Sequence, residues 1–343
     1  MEKHSFIYNG PFEFEAGGVL PSLELVYHCS EGGVRGRKVI WICHALTANS
    51  DPSDWWPQLV GPGKLIDTEK YFVICGNMLA SSYGSSSPAS VNPATGKPFY
   101  FDFPKVTVRD IVRALEIVRR HAGVDRIDLM VGASIGGFQA IEYCVMYPDV
   151  VRRAAFMATL ARITPWLTAF EESQRLALEA DSTFRKCESL EGGKAGLKCA
   201  RSIALLSYRS EDGYNRKQFE ADDDTLFACR AASYQQHQGD KLTARFDAYS
   251  YWYLSYALDS HNTGRGRGGL RAALSTVKAR TVVVSIDSDV IFPPYEMEEM
   301  AGMIPGADYR MISSHYGHDG FLLEYDQITE ILAPILKEID NDN

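Results

Sequence analysis

Residues 126–149 constrain the fold more than any other stretch of the chain. The apolar run at 127–131 has the length of a buried strand and is too short for a helix of its own. It is followed by Gly-Ala-Ser-Ile-Gly-Gly at positions 132–137, and a helical pattern begins near Phe138. A strand, a tight glycine turn and a helix in this order predict a nucleophile elbow, with Ser134 on the turn.

Small residues on both sides of Ser134 fit the chemistry of a serine nucleophile. The strained turn leaves no room for bulk two residues before or after the serine, and these positions hold Gly132 and Gly136. The hydroxyl would then stand at the top of a sheet, beside a helix N-terminus whose N–H groups can stabilise an oxyanion. The alternative is a glycine-rich turn between strand and helix in another α/β fold.

The composition is that of a globular protein and argues against a nucleic-acid or anionic-membrane partner. The 343 residues allow one large domain with an insertion, or two domains. The formal net charge of −9 at pH 7 disfavours binding to polyanions. The sequence has no long apolar run for a membrane helix, no signal-peptide pattern, and seven scattered cysteines without C-x-x-C. We therefore expect a cytoplasmic protein with reduced thiols.

Short apolar runs and helical patterns alternate along the chain, as in an α/β protein with a parallel sheet. A helix is predicted at 108–121, with Thr107 as its N-cap and Asp110 as the capping partner, and another at 321–339. Between about 164 and 274 apolar residues recur at helical spacing, so a helical insertion is predicted there. Strands are predicted at 12–15, 23–28, 38–43, 71–75, 127–131, 153–160, 281–285 and 309–312.

A serine nucleophile needs a base, and the base needs a carboxylate that orients it. After an elbow of this kind, the expected chain order is a carboxylate behind a late strand and then a histidine near the C-terminus. Asp289 follows the predicted strand 281–285, and His318 follows the last short strand. We therefore expect His318 to take the proton of Ser134 and Asp289 to fix the imidazole tautomer.

Several alternatives to these assignments remain open at the level of sequence. Asp287 is a second carboxylate behind the same strand, His315 is a second histidine in the same loop, and His318 could be a surface-loop histidine. The pattern His315-x-x-His318-Asp319 could also suggest a metal site. No other His/Cys pair has ligand spacing, so no metal is expected.

Beyond the elbow, specific stretches are distributed over nearly the whole chain. They are CHALTAN (43–49), GPGKLIDTEKYFVIC (61–75), NPATGKPF (92–99), DFPKVTVRD (102–110), HQGDKLTARFDAYSY (237–251), LDSHNTGRGRGG (258–269), SDVIFPP (288–294) and GHDGFLLE (317–324). With GASIGG, they make the sequence resemble the homoserine O-acetyltransferase family, that is, the homoserine O-acyltransferases of the α/β-hydrolase superfamily. The resemblance implies an α/β-hydrolase fold, with a mostly parallel eight-stranded sheet and a helical lid. The implied core is 1–163 together with 276–343, and the implied lid is 164–275.

The resemblance also implies the reaction. Acyl-CoA, most simply acetyl-CoA, acylates the elbow serine, and the homoserine hydroxyl then takes the acyl group in a ping-pong cycle within methionine biosynthesis. The implied triad is Ser134, Asp289 and His318, and the implied oxyanion donors are the backbone N–H groups of Leu46 and Ile135. No bound cofactor is implied, only acyl-CoA as co-substrate, and the family assembles as a homodimer through lid helices.

The amino-acid acceptor is a zwitterion, which needs a cation for its carboxylate and an anion for its ammonium group. By resemblance these groups are Arg201 and Tyr208, two turns apart on one helix face, and Asp319. The competing interpretations are that Arg201 and Tyr208 are ordinary surface residues and that Asp319 only caps the terminal helix.

The sequence departs from the family pattern in places. Ile135 stands where Met is usual, Tyr143 where Trp is usual, and the loop 79–88 is rich in serine rather than Gly and Cys. We expect this loop to lie near the acyl channel, so it bears on the choice of acyl group and acceptor. The alternatives are a serine O-acyltransferase or homoserine O-succinyltransferase and, from another class, a carboxylesterase or thioesterase, because the triad alone serves transfer and hydrolysis equally.

Overall fold

The computed structural model describes residues 1–342 and is built around one eight-stranded sheet. Its spatial order is β1-β2-β4-β3-β5-β6-β7-β8, when the strands are numbered along the chain. They are Glu2–Tyr8 (β1), Leu23–Cys29 (β2), Val39–Cys43 (β3), Phe72–Gly76 (β4), Leu129–Ala133 (β5), Arg153–Met157 (β6), Arg280–Ile286 (β7) and Asp308–Ile312 (β8). The pairs β1–β2 and β2–β4 are antiparallel and the other pairs are parallel, which confirms a mostly parallel sheet.

Helices cover both faces of the sheet and fill the insertion. They are Pro52–Trp55 (α1), Val108–His121 (α2), Ile135–Met146 (α3), Pro165–Glu179 (α4), Lys194–Tyr208 (α5), Glu211–Gln218 (α6), Arg230–Thr243 (α7), Ala248–Asp259 (α8), Leu270–Leu274 (α9), Pro294–Ala301 (α10), Gly320–Leu323 (α11) and Tyr325–Asn341 (α12). Short 3₁₀ turns occur at Tyr100–Asp102, Phe184–Lys186 and Gly317–Asp319, and two-residue strands pair Phe12–Glu13 with Val19–Leu20 and Val60–Gly61 with Ile66–Asp67. None of the helices within 1–342 has both the length and the apolarity to cross a bilayer.

The central strands are continuous apolar runs because both faces of the sheet are covered. Every residue of β3, β4 and β5 is buried. Successive side chains enter opposite cores, as Trp41 packs into one cluster while Ile40 and Ile42 pack into the other. A parallel sheet buried on both faces has this pattern, and its strand ends form a rigid edge for a site.

The observed elements agree with the prediction most closely where local signals are strong. Helix α2 has the predicted bounds, and Thr107 and Asp110 form the predicted capping box. Strand β1 was not predicted, because this edge strand is polar and only partly buried. The predicted terminal helix is interrupted at Glu324, whose φ of −88° and ψ of 59° separate α11 from α12.

The segment 164–275 contains helices α4 to α9, and all eight strands of the sheet lie outside it. Helix α5 of this segment packs against the 3₁₀ turn Gly317–Asp319, so the insertion reaches the edge where the strands end. The boundaries between core and lid stay predictions.

Candidate active site

Ser134 stands on a strained turn between β5 and α3. Strand β5 ends at the preceding residue, Ala133, and the helix begins at the next residue, Ile135. The backbone of Ser134 has φ of 57° and ψ of −130°, a conformation that side-chain-bearing residues rarely adopt. The predicted elbow is therefore present, and its strain lies on the predicted nucleophile.

The glycines around the serine are required by close packing. A Cβ atom on Gly132 would lie closer than 3.0 Å to the backbone of Gly136, and one on Gly136 would lie equally close to the carbonyl oxygen of Cys43. A Cβ on Gly137 would meet the side chain of Thr159 at similarly short range. Real Cβ contacts essentially never come under 3.0 Å, so helix α3 can approach β3 and the loop after β6 only with glycine here.

Asp289 and His318 form a buried hydrogen-bonded pair on the loops after β7 and β8. Nδ1 of His318 lies 2.7 Å from Oδ2 of Asp289. The other carboxylate oxygen of Asp289 accepts from the backbone N–H groups of Ile291, at 2.8 Å, and Phe292, at 3.0 Å. These contacts fix the carboxylate, and they leave Nε2 of His318 free for a second partner.

The charge state of His318 reflects a balance between burial and its carboxylate neighbours. Burial opposes protonation of the imidazole, but the charge and hydrogen bond of Asp289, helped by the charge of Asp319, outweigh it. The pKa of His318 is therefore raised above its ordinary value. An imidazole that takes up a proton readily is suited to the role of general base.

The competing carboxylate and histidine have other partners. Asp287 accepts hydrogen bonds from the hydroxyl of Ser313, at 2.7 Å, and from the N–H of Ser314, at 3.0 Å, so it shapes the loop after β8. His315 is 68% exposed at its side chain and pairs with Asp212 of α6 at 2.7 Å.

Across 1–342 there is also no group of three or more His, Cys, Asp or Glu side chains arranged to hold a metal ion.

Ser134 and His318 open onto one cavity of about 430 Å³ at the carboxyl edge of the sheet. Asp289 lies directly behind His318, and Ile135 follows Ser134. The same cavity is lined by the other side chains singled out from the sequence, namely Leu46, Arg201, Tyr208 and Asp319. Six of the eight predicted site residues thus line one cavity, and the other two, Asp289 and Ile135, adjoin lining residues. Their catalytic and binding roles stay predictions.

The backbone N–H groups of Leu46 and Ile135 are the predicted oxyanion donors. Within residues 1–342, neither group donates a hydrogen bond to a protein acceptor. The N–H of Ile135 is the first of helix α3, where intrahelical acceptors are lacking. Two unpaired donors beside a serine hydroxyl are what an oxyanion hole requires.

His44 holds the loop that carries Leu46. It is fully buried, and burial lowers its pKa to about 4, so the imidazole is neutral. Its Nδ1 lies 2.9 Å from the carbonyl oxygen of Ala45, and its Nε2 accepts from the N–H of Met78 at 3.0 Å. The side chain of Gln139 donates to the carbonyl oxygens of His44 and Ile135, both at 3.1 Å. The segments that carry the two predicted oxyanion donors, Leu46 and Ile135, are thereby tied to one hydrogen-bond network.

Arg201 and Tyr208 lie together on helix α5 above the histidine. The guanidinium carbon of Arg201 is 5.5 Å from the ring centre of Tyr208, and that ring centre is 5.8 Å from the ring of His318. In the described part of the chain, Arg201 takes part in no ion pair. It therefore offers the cavity a cation without a protein counter-ion.

Asp319 is paired with an arginine that the sequence did not single out. Oδ2 of Asp319 lies 2.8 Å from Nη1 of Arg209, which also lines the cavity. Burial raises the pKa of Asp319, although the charges of Arg209, His318 and Arg201 oppose the shift. Asp319 occupies the N-cap position of α11, but its side chain makes no capping hydrogen bond there. The cap interpretation is therefore not supported by the contacts.

Known proteins resemble this chain over nearly its whole length. Residues 38–325 match the family described as the alpha/beta hydrolase fold. A homoserine O-acetyltransferase from Cyclobacterium marinum is 41% identical over 340 residues, covering 98% of this chain and 96% of that protein. One from Chlorobaculum parvum is 39% identical over 344 residues, covering 99% and 96%. The chain belongs to the homoserine O-acetyltransferase family of the alpha/beta hydrolase fold.

Solved structures show that this fold also serves proteins named as hydrolases. A homoserine O-acetyltransferase from Staphylococcus aureus matches with a TM-score of 0.80 and 29% identity, covering 98% of this chain and 95% of that one. An acetylester hydrolase from Corynebacterium glutamicum matches with a TM-score of 0.84 and 27% identity, over 98% and 95%. A match in fold therefore does not by itself distinguish acyl transfer from hydrolysis.

The serine-rich loop that departs from the homoserine O-acetyltransferase pattern is held in place by hydrogen bonds of its serines. The hydroxyl of Ser85 accepts from the N–H of Val26 at 3.1 Å and donates to the carbonyl oxygen of Asn77 at 2.9 Å. Of loop 79–88, Tyr83 is the described residue that lines the cavity. The loop thus reaches the site through one side chain, while Ser85 binds it to strand β2 and Ser82 donates to Asp247 of the insertion at 2.7 Å.

Sequence reasoning missed the roles of His44 and Arg209. His44 could have been found from its position, since a buried histidine at the end of a central strand must bond with both ring nitrogens. Nothing in the sequence distinguished Arg209 from a surface arginine, because its partner is 110 positions away on another loop.

Proposed function

We propose that this protein is a homoserine O-acetyltransferase, which transfers the acetyl group of acetyl-CoA to the hydroxyl of L-homoserine. The observation that carries the proposal is the single cavity in which an elbow serine and a histidine–carboxylate pair face an unpaired arginine and a buried carboxylate. Relatives of this name at 39–41% identity over nearly the whole chain support it. Acetyl-CoA serves as a co-substrate, and no bound cofactor takes part.

In the first half-reaction, Ser134 attacks the thioester carbonyl while Nε2 of His318 takes its proton. Asp289 stabilises the imidazolium, and the N–H groups of Leu46 and Ile135 stabilise the oxyanion. The tetrahedral intermediate then breaks its C–S bond. His318 returns the proton to the leaving sulfur, so that CoA departs as a thiol and acetyl-Ser134 remains.

In the second half-reaction, the homoserine hydroxyl attacks the acetyl carbonyl of acetyl-Ser134, and His318 takes its proton. The same N–H groups stabilise the second tetrahedral intermediate. When the bond to Ser134 breaks, His318 gives the proton to the serine oxygen, so the free enzyme is restored and O-acetyl-L-homoserine leaves. Water could take the place of homoserine in this step, so the acceptor must be held in position.

Three side chains that line the cavity, Arg201, Tyr208 and Asp319, are suited to that purpose. Arg201 is suited to the carboxylate of homoserine, because it is a planar cation without a carboxylate partner. Asp319 is suited to the ammonium group, and Tyr208 lies between Arg201 and His318. A simple esterase has no need for a cation and an anion at these positions.

We also propose that the enzyme is a cytoplasmic homodimer joined through the insertion. The insertion exposes large apolar side chains that a partner copy would cover, at 60% for Leu206, 72% for Phe219, 85% for Leu226 and 81% for Phe227. The described cysteines are all free thiols, which agrees with a reducing compartment. Sedimentation equilibrium should give twice the mass of one chain, and a monomer at micromolar concentration would contradict the dimer.

The function is tested by measuring release of CoA with a thiol reagent. Acetyl-CoA and succinyl-CoA are each combined with L-homoserine, L-serine or no acceptor, and Ser134→Ala serves as the control. We expect rapid release only with acetyl-CoA and homoserine. A preference for serine or succinyl-CoA would replace the substrate within the same mechanism, and release independent of any acceptor would make the protein a hydrolase.

A further inference from the structure

Arg209 is held in the cavity by two elements of the structure. It directly follows helix α5, and its Nη1 lies 2.8 Å from Oδ2 of Asp319. Its Nη2 lies 3.4 Å from the hydroxyl of Tyr234 on helix α7. The guanidinium is thus fixed between the insertion and the residue that follows His318.

The backbone around Arg209 is packed tightly against the loop of His318. A Cβ atom on Gly317 would lie closer than 3.0 Å to the N–H of Ser210 and to the carbonyl carbon of Arg209. The hydroxyl of Ser210 also donates to the carbonyl oxygen of His315. These contacts leave little freedom for Arg209 to move relative to the Asp319 carboxylate.

Asp319 needs a cation because it is largely buried. Its side chain is 14% exposed, and burial raises its pKa, with a further contribution from the charge of Asp289. The charges that oppose this shift are Arg209 first, then His318 and Arg201. Without Arg209, more of the carboxyl group would be protonated, and a neutral carboxyl binds an ammonium group poorly.

Arg201 and Arg209, two of the three arginines that line the cavity, have different partners. Arg209 bonds to a carboxylate and a tyrosine hydroxyl, whereas Arg201 has no ion-pair partner within residues 1–342. Arg201 can therefore receive the carboxylate of the acceptor, while Arg209 is already engaged. The remaining oxygen of Asp319, Oδ1, has no protein partner in the described chain.

We propose that Arg209 is a positioning residue for the amino-acid acceptor: it holds Oδ2 of Asp319 and leaves Oδ1 to receive the ammonium group. This inference rests on the proposed function. It makes Arg209 important for the second half-reaction and unimportant for the first, in which no ammonium group is bound.

The test measures the two half-reactions separately in Arg209→Met and Arg209→Lys. Formation of acetyl-Ser134 from acetyl-CoA is followed by mass spectrometry, and KM and kcat are measured with L-homoserine. We expect KM for homoserine to rise about tenfold or more in Arg209→Met, while acylation changes less than about twofold, since a charge-assisted contact is lost only on the acceptor side. Arg209→Lys should recover part of the loss, because it keeps the charge without the planar fork.

Arg216→Met is the matched control. Arg216 lies on the neighbouring helix α6 and also forms an ion pair at 2.8 Å, with Asp212, but it is 63% exposed and does not line the cavity. Its replacement should leave KM for homoserine and the acylation rate unchanged. Thermal melting of all variants shows whether a change in KM arises from loss of folded protein.

Two further readouts separate positioning from a structural role. 4-Hydroxybutyrate lacks the ammonium group, so its KM should not respond to Arg209→Met. The acid limb of the homoserine-dependent rate should move to higher pH in Arg209→Met, because the pKa of Asp319 rises when its nearest cation is removed. In an Asp319→Asn background, Arg209→Met should have little further effect on KM.

The outcomes are distinguishable. If wild-type protein does not respond to any amino acid, the proposed function fails, and this inference fails with it. If wild type uses homoserine but a folded Arg209→Met variant keeps its KM, only the inference fails. An equal rise in KM in both Asp319 backgrounds would mean that Arg209 contacts the acceptor directly, and a parallel loss of acylation would mean a structural role. Either result overturns the proposal.

Discussion

The floor and the roof of the cavity are built in different ways. The floor consists of the loops at the strand ends that carry Leu46, Ser134 and His318, and the roof consists of Arg201, Tyr208 and Arg209 of the insertion. The floor depends on backbone conformation and on glycines that permit contacts no other residue allows. The roof depends on long side chains that meet through an ion pair and an aromatic contact.

This difference explains how one fold can serve more than one reaction. Under the proposed mechanism, acyl-serine chemistry depends on backbone geometry in the floor, which cannot be changed without repacking the sheet. The choice between an amino acid and water would depend on side chains of the roof, which can be exchanged one at a time. The acetylester hydrolase from Corynebacterium glutamicum, which shares the fold over 98% of this chain, is consistent with that view.

Asp289→Asn should produce the largest loss and should act on the floor. An asparagine would hold the imidazole of His318 in the wrong tautomer, so we expect acylation to fall about 10³–10⁴-fold. Asp289 raises the pKa of His318 above its ordinary value of about 6.5, and only the neutral imidazole is a base. The acylation rate of the wild type should therefore decline as pH falls through this raised pKa. In Asp289→Asn this acid limb of the pH–rate profile should move to lower pH. Stopped-flow acylation across pH measures both effects.

Asp287→Asn is the matched control for that experiment. Asp287 follows the same strand but binds Ser313 and Ser314. Its replacement should destabilise the loop after β8 and leave the acid limb of the acylation pH–rate profile unchanged. A shift of the limb in Asp287→Asn and not in Asp289→Asn would show that the hydrogen-bonded pair is not the catalytic one.

Gly136→Ala should damage the floor through packing alone. The added Cβ would lie closer than 3.0 Å to the carbonyl oxygen of Cys43, so helix α3 must move and carry Ser134 with it. A displacement near 1 Å can cost about a hundredfold in rate, and overpacking costs about 1–3 kcal/mol of stability. We expect both effects, measured as the acylation rate and the thermal midpoint. Gly302→Ala, where the nearest atom to the new Cβ is at 3.5 Å, should show neither.

Arg201→Met should affect the roof and leave the floor intact. Loss of a charge-assisted contact worth about 1.5–3 kcal/mol predicts a rise in KM for homoserine of about ten- to a hundredfold, with unchanged formation of acetyl-Ser134. Lys198→Met is the control, because Lys198 is a cation on the same helix that pairs with Asp240 and does not line the cavity. If the acylation rate of Arg201→Met fell by the same factor as KM for homoserine rose, the floor and the roof would not act separately.

The floor could largely be predicted from the sequence because its signals are local. The strand, the glycines and the helix around Ser134 are contiguous in the sequence. Outside the floor, a local signal of the same kind, the capping pair Thr107 and Asp110, predicted the bounds of helix α2 to the residue. The positions of Asp289 and His318 followed from the chain order of such sites. Their 2.7 Å hydrogen bond, which separates them from the nearby alternatives, required the folded structure.

The roof could be predicted only in part because its contacts are non-local. Arg201 and Tyr208 came from resemblance and from helical spacing, but the pairing of Arg209 with Asp319 joins the insertion to a loop near the C-terminus. The break at Glu324 and the polar edge strand Glu2–Tyr8 were missed for the same reason, since packing rather than local propensity decides both.

Ser85→Ala should have the smallest effect, and it tests the boundary of the floor. Removing the hydroxyl leaves the N–H of Val26 and the carbonyl oxygen of Asn77 without their buried partner, so we expect a loss of about 1–3 kcal/mol and a lower thermal midpoint. Acylation and KM for homoserine should remain as in wild type, because Ser85 does not line the cavity. Ser202→Ala is the control, since this exposed hydroxyl bonds only within its own helix.

If KM for acetyl-CoA rose in Ser85→Ala while KM for homoserine did not, the serine-rich loop would act on the donor. Tyr83 is then the side chain through which it does so, because it shares the loop with Ser85 and lines the cavity. The site would then have a third part with its own specificity, made neither of rigid strand ends nor of the helices of the insertion. An unchanged KM for both substrates would instead mean that the unusual serines of this loop contribute to stability, and that the choice of acceptor lies in the roof.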